Sequence, residues 1–218
     1  MSLGNIKSQV EKLHHQILEC AQNSSEINSL YKGCQIWYSP ILLKPKVLLI
    51  GFNPGAGYYN WEGKIVEQFE PLNALEYYLT DHSLAKQTIK LFQIMEKEDV
   101  LKYQTVKTNF YFFATSNVSD FNKLTKLLPK ELSTQLFHFA RVWIKQLIET
   151  LEPELILCEG TVSFAEVAVL FDDKFAQESS TYHQQFKTAK TIVFSYKRNQ
   201  SSIIDKEQVA LILRNLVK

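Results

Sequence analysis

Val47-Leu48-Leu49-Ile50-Gly51-Phe52-Asn53-Pro54-Gly55-Ala56-Gly57-Tyr58-Tyr59 is the stretch on which the reading of this chain turns. Its four leading apolar residues, closed by Gly51, read as a short strand buried on both faces, as strands of a parallel sheet are. Behind them, three of the chain's seven glycines fall within seven residues. Glycine loses more freedom on ordering than any other residue, so such clustering marks backbone that turns sharply or closely approaches another group. A phosphate-binding P-loop requires a Lys after its last glycine, and none follows Gly57. A dinucleotide fingerprint requires Gly-x-Gly-x-x-Gly, and Asn60 stands where its last glycine belongs. What remains is Gly-x-Asn-Pro-Gly, a carboxamide at a strand end with a rigid proline behind it.

Outward from this stretch, short apolar runs alternate with helical periodicity. Ile6, Val10, Leu13, Ile17, Leu18 and Ala21 share one face of an N-terminal helix over about residues 5–22, which Asn23-Ser24-Ser25 ends. Thr105 to Phe112, rich in β-branched and aromatic residues, reads as a second strand. Leu132, Leu136, Phe139, Trp143, Leu147 and Leu151 form the stripe of a long helix that Pro153 stops. Leu155–Cys158 is a third strand. Ser163 and Glu166 have capping-box spacing and predict a helix start there. Thr191–Phe194 is the fourth strand, and a last helix begins at Asp205 and runs through Val209, Ile212, Leu213 and Leu216. This alternation predicts an α/β fold, a sandwich of three layers (α/β/α) around a short central parallel sheet. No repeat or linker divides the chain, so residues 1–218 read as a single domain with the N-terminal helix packed on it.

Composition narrows the function classes. With 218 residues the chain buries roughly 70% of its unfolded surface without disulfides or metals as staples. Its 24 Lys+Arg against 23 Asp+Glu leave a net charge of +1, which excludes binding to nucleic acid by bulk charge and requires a local patch instead. Cys20, Cys34 and Cys158 are widely separated, so zinc ribbons, thioredoxin-type motifs and iron–sulfur clusters are not expected, and a reducing, cytoplasmic setting fits. No signal peptide and no run long enough to span a bilayer is visible. Asp81-His82 and Asp172-Asp173 lack further ligands at metal spacing, and no metal site is expected.

Ligands of parallel sheets bind beyond the carboxyl ends of the strands, so Gly51–Asn60, Asn109–Asn117, Glu159–Thr161 and Ser195–Asn199 should converge. Leu48-Leu49-Ile50-Gly51-Phe52-Asn53-Pro54-Gly55 resembles the first active-site motif of the uracil-DNA glycosylase superfamily, closest to its mismatch-specific and single-strand-selective branches. The resemblance spans roughly Val47 to Asn199. It implies a hydrolase that cleaves the N-glycosidic bond of a deaminated or damaged base in single- or double-stranded DNA, with no cofactor. It further implies that Asn53 holds the attacking water. Asn109, in Thr108-Asn109-Phe110, would read the base edge, with Gly51, Phe52, Gly55 and Tyr59 around the base. An amide orients water through its carbonyl oxygen but is no base at neutral pH. An aromatic must stack on a flipped base; Tyr58, Tyr59, Trp61 and Phe110 are near in sequence, with Tyr59 preferred.

The last motif departs from the family. Where His-Pro-Ser is usual, this chain has Phe194-Ser195-Tyr196-Lys197-Arg198-Asn199. Ser195 and Tyr196 are then the donors left for the leaving base, Ser195 being assigned to catalysis. His183 precedes the strand in a loop-like stretch. Lys197, Arg198 and Asn199, with Lys187 and Lys190 upstream, are candidate phosphate contacts. A binder that retains the pocket without catalysis, or a protein-interaction scaffold, are the other readings of the same residues. Cys158 reads as core packing.

Overall fold

The computed structural model describes residues 3–55, 64–171 and 177–217. In chain order, its first elements are helices α1 (Leu3–Asn23) and α2 (Ser25–Leu30), strands β1 (Gly33–Gln35), β2 (Val47–Gly51) and β3 (Val66–Gln68), and a short 3-10 turn at Glu76–Tyr78. Helices α3 (Ser83–Ile94) and α4 (Glu98–Tyr103) lead to strands β4 (Thr105–Asn109) and β5 (Phe113–Ala114), then helices α5 (Val118–Leu127) and α6 (Lys130–Leu151). Strand β6 (Leu155–Cys158) and helix α7 (Thr161–Ala168) precede strands β7 (Glu178–Ser179), β8 (His183–Lys187) and β9 (Ile192–Tyr196). Strands β10 (Arg198–Asn199) and β11 (Ser202–Ile203) and helix α8 (Lys206–Leu216) complete it. No helix among the described residues is long and apolar enough to cross a membrane.

The chain clusters into two compact units. Unit 2 (residues 38–51, 71–108 and 148–218) contains nearly all of a six-stranded sheet, ordered β4-β2-β6-β9-β8-β7. β2, β6 and β9 are parallel, and every residue of β2 and β6 is buried, as continuous apolar strands require. The sheet is mixed rather than parallel throughout: β8 runs antiparallel to β9, and β7 antiparallel to β8. His183-Gln184-Gln185-Phe186-Lys187 buries only its first and fourth residues and carries no apolar run, so the sequence reads as loop where the structure has the strand next to the sheet edge.

Side chains alternate across the pleat, and each face of this sheet takes its own helices. Val47, Leu49, Leu155, Leu157, Phe194 and Tyr196 share a core with Leu91 and Phe92 of α3, Leu101 of α4, and Val209 and Leu213 of α8. Val193, opposite Phe186, lies on the other face, where Phe186 packs against Phe164 of α7 at 5.6 Å between rings. α7 begins at Thr161, ahead of the expected Ser163, because Gly160 at φ 107 turns the chain directly into it. The expected capping box does not form: the Ser163 hydroxyl donates back to the Gly160 carbonyl (2.9 Å).

Unit 1 (residues 1–37, 52–70 and 109–147) holds α1, α2, α5, most of α6 and a three-stranded sheet ordered β3-β1-β5. Gly33 stands at φ 118 where β1 meets β3, and a Cβ there would run into the Val66 backbone, so only glycine fits. The α6 stripe buries Trp143 against Trp37 (4.9 Å) and Phe112 (5.7 Å). Rings of this size each contribute about 2–3 kcal/mol by burial. His14 of α1 is fully buried; its Nε2 faces Glu67 (2.9 Å) and must donate, so its Nδ1 accepts from the Tyr31 hydroxyl (2.6 Å). Burial outweighs Glu67 and lowers the His14 pKa, keeping the ring neutral.

Candidate functional site

The expected strand Thr105–Phe112 stops at Asn109, and this early stop builds the site. Phe110 to Phe112 are buried aromatic residues in a turn, their β propensity overridden by packing. The turn lies beside the segment that leaves β2. Tyr111 donates its N–H to the Phe52 carbonyl (2.9 Å), Thr115 donates its N–H to the Pro54 carbonyl (3.2 Å), and Gly55 bridges Thr115 in parallel. Of two of the four expected strand ends, residues 52–55 and 109–115 therefore converge within unit 1.

Asn53 sits between them, partly buried. Its Nδ2 donates to the Pro54 carbonyl (3.1 Å), the Phe113 carbonyl (3.3 Å) and Thr115 Oγ1 (2.9 Å). Two of these acceptors are backbone carbonyls, which only accept, so the atom facing them must be the NH2 group. The amide orientation follows from chemistry, and Oδ1 is the end that receives no hydrogen bond from any described residue. Asn109, at the end of β4, is 5% exposed.

Phe52 faces the aromatic residues of unit 1. Its ring is buried among Tyr111 (5.1 Å) and Phe121 (5.4 Å) and is part of the aromatic core. Phe110 is likewise fully buried, against Tyr111 (5.0 Å). Gly51 ends β2 in a buried position, and Gly55 is exposed with open space where a Cβ would stand. The candidates Tyr58, Tyr59 and Trp61 lie outside the described residues, as do Asp172 and Asp173.

The residues of the last motif belong to unit 2, and Phe194, Ser195 and Tyr196 are buried. Ser195 is fully buried opposite Gln184, its hydroxyl donating to the Tyr196 carbonyl (3.3 Å). Tyr196, also buried, directs its hydroxyl at Glu159 Oε1 (3.4 Å); burial first and the Glu159 charge second raise its pKa well above the ordinary phenol value. The Lys197 ammonium donates to the Ser180 carbonyl. Arg198 lies over Gly160, with Nε 3.1 Å from where a Cβ would be, and Asn199 is exposed in the β10–β11 hairpin. Lys187 and Lys190 are exposed. His183 is the first residue of β8, stacked on the Phe194 ring at 5.2 Å and bonded to the Ser180 hydroxyl (2.7 Å), a structural placement.

Unit 2 also contains a polar network that sequence reasoning missed. Glu159, directly after β6 and 2% exposed, accepts from the Tyr77 hydroxyl, from Thr88 (3.3 Å) and from Tyr196. Lys107 of β4 is buried over the rings of Tyr38 (4.0 Å) and Tyr77 (4.7 Å) and pairs with Glu76 (3.1 Å). His82 caps α3 through Nδ1, which accepts from the Ala85 N–H (3.2 Å), so its Nε2 donates to Glu76 (3.3 Å). Burial alone would raise the Glu76 carboxyl, but Lys107 and His82 outweigh it and bring the pKa down to about 2. Asp81 instead pairs with Lys86 (2.7 Å) at the surface. A signal for this network existed: a Lys in the middle of a strand read as part of a buried sheet demands a buried partner. For Thr115 there was none, because its partner lies 62 residues away.

Cys158 is fully buried, and burial, with Glu159 beside it, pushes its thiol well above the ordinary value, which makes it inert packing. Among the described residues no group of three or more His, Cys, Asp or Glu is placed to hold a metal ion. Compared with known proteins, the chain matches no protein-family model and no curated protein.

Proposed function

We propose that this chain is a uracil-DNA glycosylase-like hydrolase with the three-layer fold of that superfamily, releasing a deaminated or damaged base from DNA. The observation that carries the reading is the Asn53 carboxamide, held by its nitrogen so that Oδ1 is left to accept. A water donating one hydrogen to Oδ1 is oriented with a lone pair toward the deoxyribose C1′. The water oxygen bonds to C1′ as the N-glycosidic bond breaks, the bonding pair leaves with the base, and the surplus water proton passes to solvent or the base. Because the sugar becomes oxocarbenium-like as that bond breaks, an oriented water suffices without a general base. Asn109 supplies a second carboxamide for the base edge, and its orientation decides between a uracil-like and a cytosine-like partner. Arg198 and Asn199 are the hairpin groups suited to phosphate contact, Lys197 being held on Ser180.

A second reading is favoured by the inward turn of Ser195 and Tyr196. With both hydroxyls engaged inside the protein, neither is a ready donor to a departing base anion. A protein that binds a nucleobase in DNA without releasing it fits that arrangement. Turnover on oligonucleotides containing uracil, hypoxanthine or a mismatch separates the two. Release that falls about 10²-fold in Asn53→Ala, the loss expected when a reactant is misplaced, supports the hydrolase. Binding to these oligonucleotides without release supports the binder, and neither binding nor release overturns both.

A further inference from the structure

We propose that Thr115 is a positioning residue that fixes which end of the Asn53 carboxamide faces its ligand, so that the group handled there must be a hydrogen-bond donor. Naming that donor as the attacking water rests on the hydrolase reading; the lock itself does not. A hydroxyl has one hydrogen, and Thr115 donates it to the Asn117 carbonyl at 2.9 Å. What Thr115 turns toward Asn53 is therefore a lone pair, and the contact it makes with Nδ2, at 2.9 Å, is the shortest of the three that hold the amide.

The chain of bonds is anchored at both ends. Asn117 is the N-cap of α5, its side chain accepting from the Asp120 N–H (2.9 Å), which fixes where its carbonyl stands. Thr115 is fully buried, and its own N–H is tied to the Pro54 carbonyl. Turning the amide over would set Oδ1 against the two carbonyls of Pro54 and Phe113 and would require Thr115 to abandon Asn117. Each of these changes is unfavourable, and together they leave one orientation. The start of α5 thus sets the polarity of a side chain that follows β2.

The side-chain amide of Asn53, assigned in 15N–1H NMR spectra by its disappearance in Asn53→Ala, tests the lock directly through its hydrogen-exchange rate. In Thr115→Val, which keeps the shape and removes the hydroxyl, exchange should quicken about fivefold or more, the scale of one lost hydrogen bond. In Thr115→Ser it should remain at the wild-type rate. Unchanged exchange in Thr115→Val, or equal quickening in Thr115→Ser, overturns the lock. If Thr115→Val does not fold, Thr115→Ala carries the same comparison. On a DNA substrate, Thr115→Val should lower kcat about tenfold at unchanged KM, with Thr115→Ser restoring it, as for loss of a bond that orients a reactant. An unchanged kcat overturns the catalytic role, whereas a wild-type chain that releases no base overturns the hydrolase reading and leaves the exchange result to judge the lock.

Discussion

Beyond β2, in unit 1, a neutral carboxamide is held at its nitrogen, its oxygen bonded by no described residue; at the ends of β6 and β9, in unit 2, a carboxylate and two phenols engage one another. Both arrangements are polar, partly or wholly buried, and stitched together from residues distant in sequence. They differ in what is left over. Around Asn53 the acceptors outnumber the donors, so the amide orientation is forced and Oδ1 receives no hydrogen bond from any described residue. Around Glu159 three hydroxyls converge on one oxygen, and nearby Glu76 and Lys107 neutralise each other while His82 donates to Glu76. The first arrangement is built to present an atom; the second joins elements of its unit.

The largest expected effect lies in the second region. Glu76→Gln leaves the Lys107 ammonium buried without its counter-charge, and breaking such a pair costs about 3–5 kcal/mol. The pH dependence has a definite sign. The carboxyl is depressed in the folded state to about 2, so its contribution is complete above the unfolded value near 4.3 and is lost as pH falls toward 2. Urea midpoints measured from pH 7 down to pH 3 should drop steeply in the wild type and more shallowly in Glu76→Gln. Adding Lys107→Met should recover part of the loss, since it removes the stranded buried charge. A Glu76→Gln protein as stable as the wild type would remove the contrast between the two regions.

Asn53→Asp sharpens the comparison from the other side. A carboxylate has no hydrogen to offer, and it would face the Pro54 and Phe113 carbonyls, which have none either. The expected loss at neutral pH is about 1–3 kcal/mol, that of unsatisfied polar groups brought together. Here the acid's folded pKa is raised, so stability is retained below the unfolded carboxyl value and lost as pH rises through the folded one. The gap between Asn53→Asp and wild type in urea should be narrow at pH 4 and wider at pH 8. A gap that widens toward acid instead would mean that the amide is held the other way round.

Much of the fold was legible because burial writes itself as composition. Val47–Ile50, Leu155–Cys158 and Ile192–Phe194 are apolar on both faces, and the stripe from Leu132 to Leu151 marks α6 to within two residues of its start. The hairpin β7–β8 at the sheet edge was not, since a strand with glutamines at its second and third positions has no apolar signature. Nor was the end of β4, because Phe110 to Phe112 carry the same β propensity whether they extend a strand or fill a core. Of the candidate site, Asn53 stood out through the glycines and proline around it. The amide orientation and Thr115 did not, because they depend on carbonyls whose direction only the folded backbone sets.

Ser195 is where the smallest effect is expected, and there it is most informative. Its position after a buried strand made it the natural donor to a departing base, but the alternation of β9 turns it away from the Phe194–Tyr196 face and buries it completely. Its one hydrogen goes to the Tyr196 carbonyl at 3.3 Å, a long bond, so Ser195→Ala should cost no more than about 1 kcal/mol in urea unfolding. Base release, where present, should stay within about twofold of the wild type. A donor aimed at developing charge would be worth about 10²-fold or more, so a loss of that size at preserved stability would show that the hydroxyl turns outward during the reaction. The strand ends would then no longer divide into one that presents an atom and one that joins structure, and catalysis would have to be drawn from both.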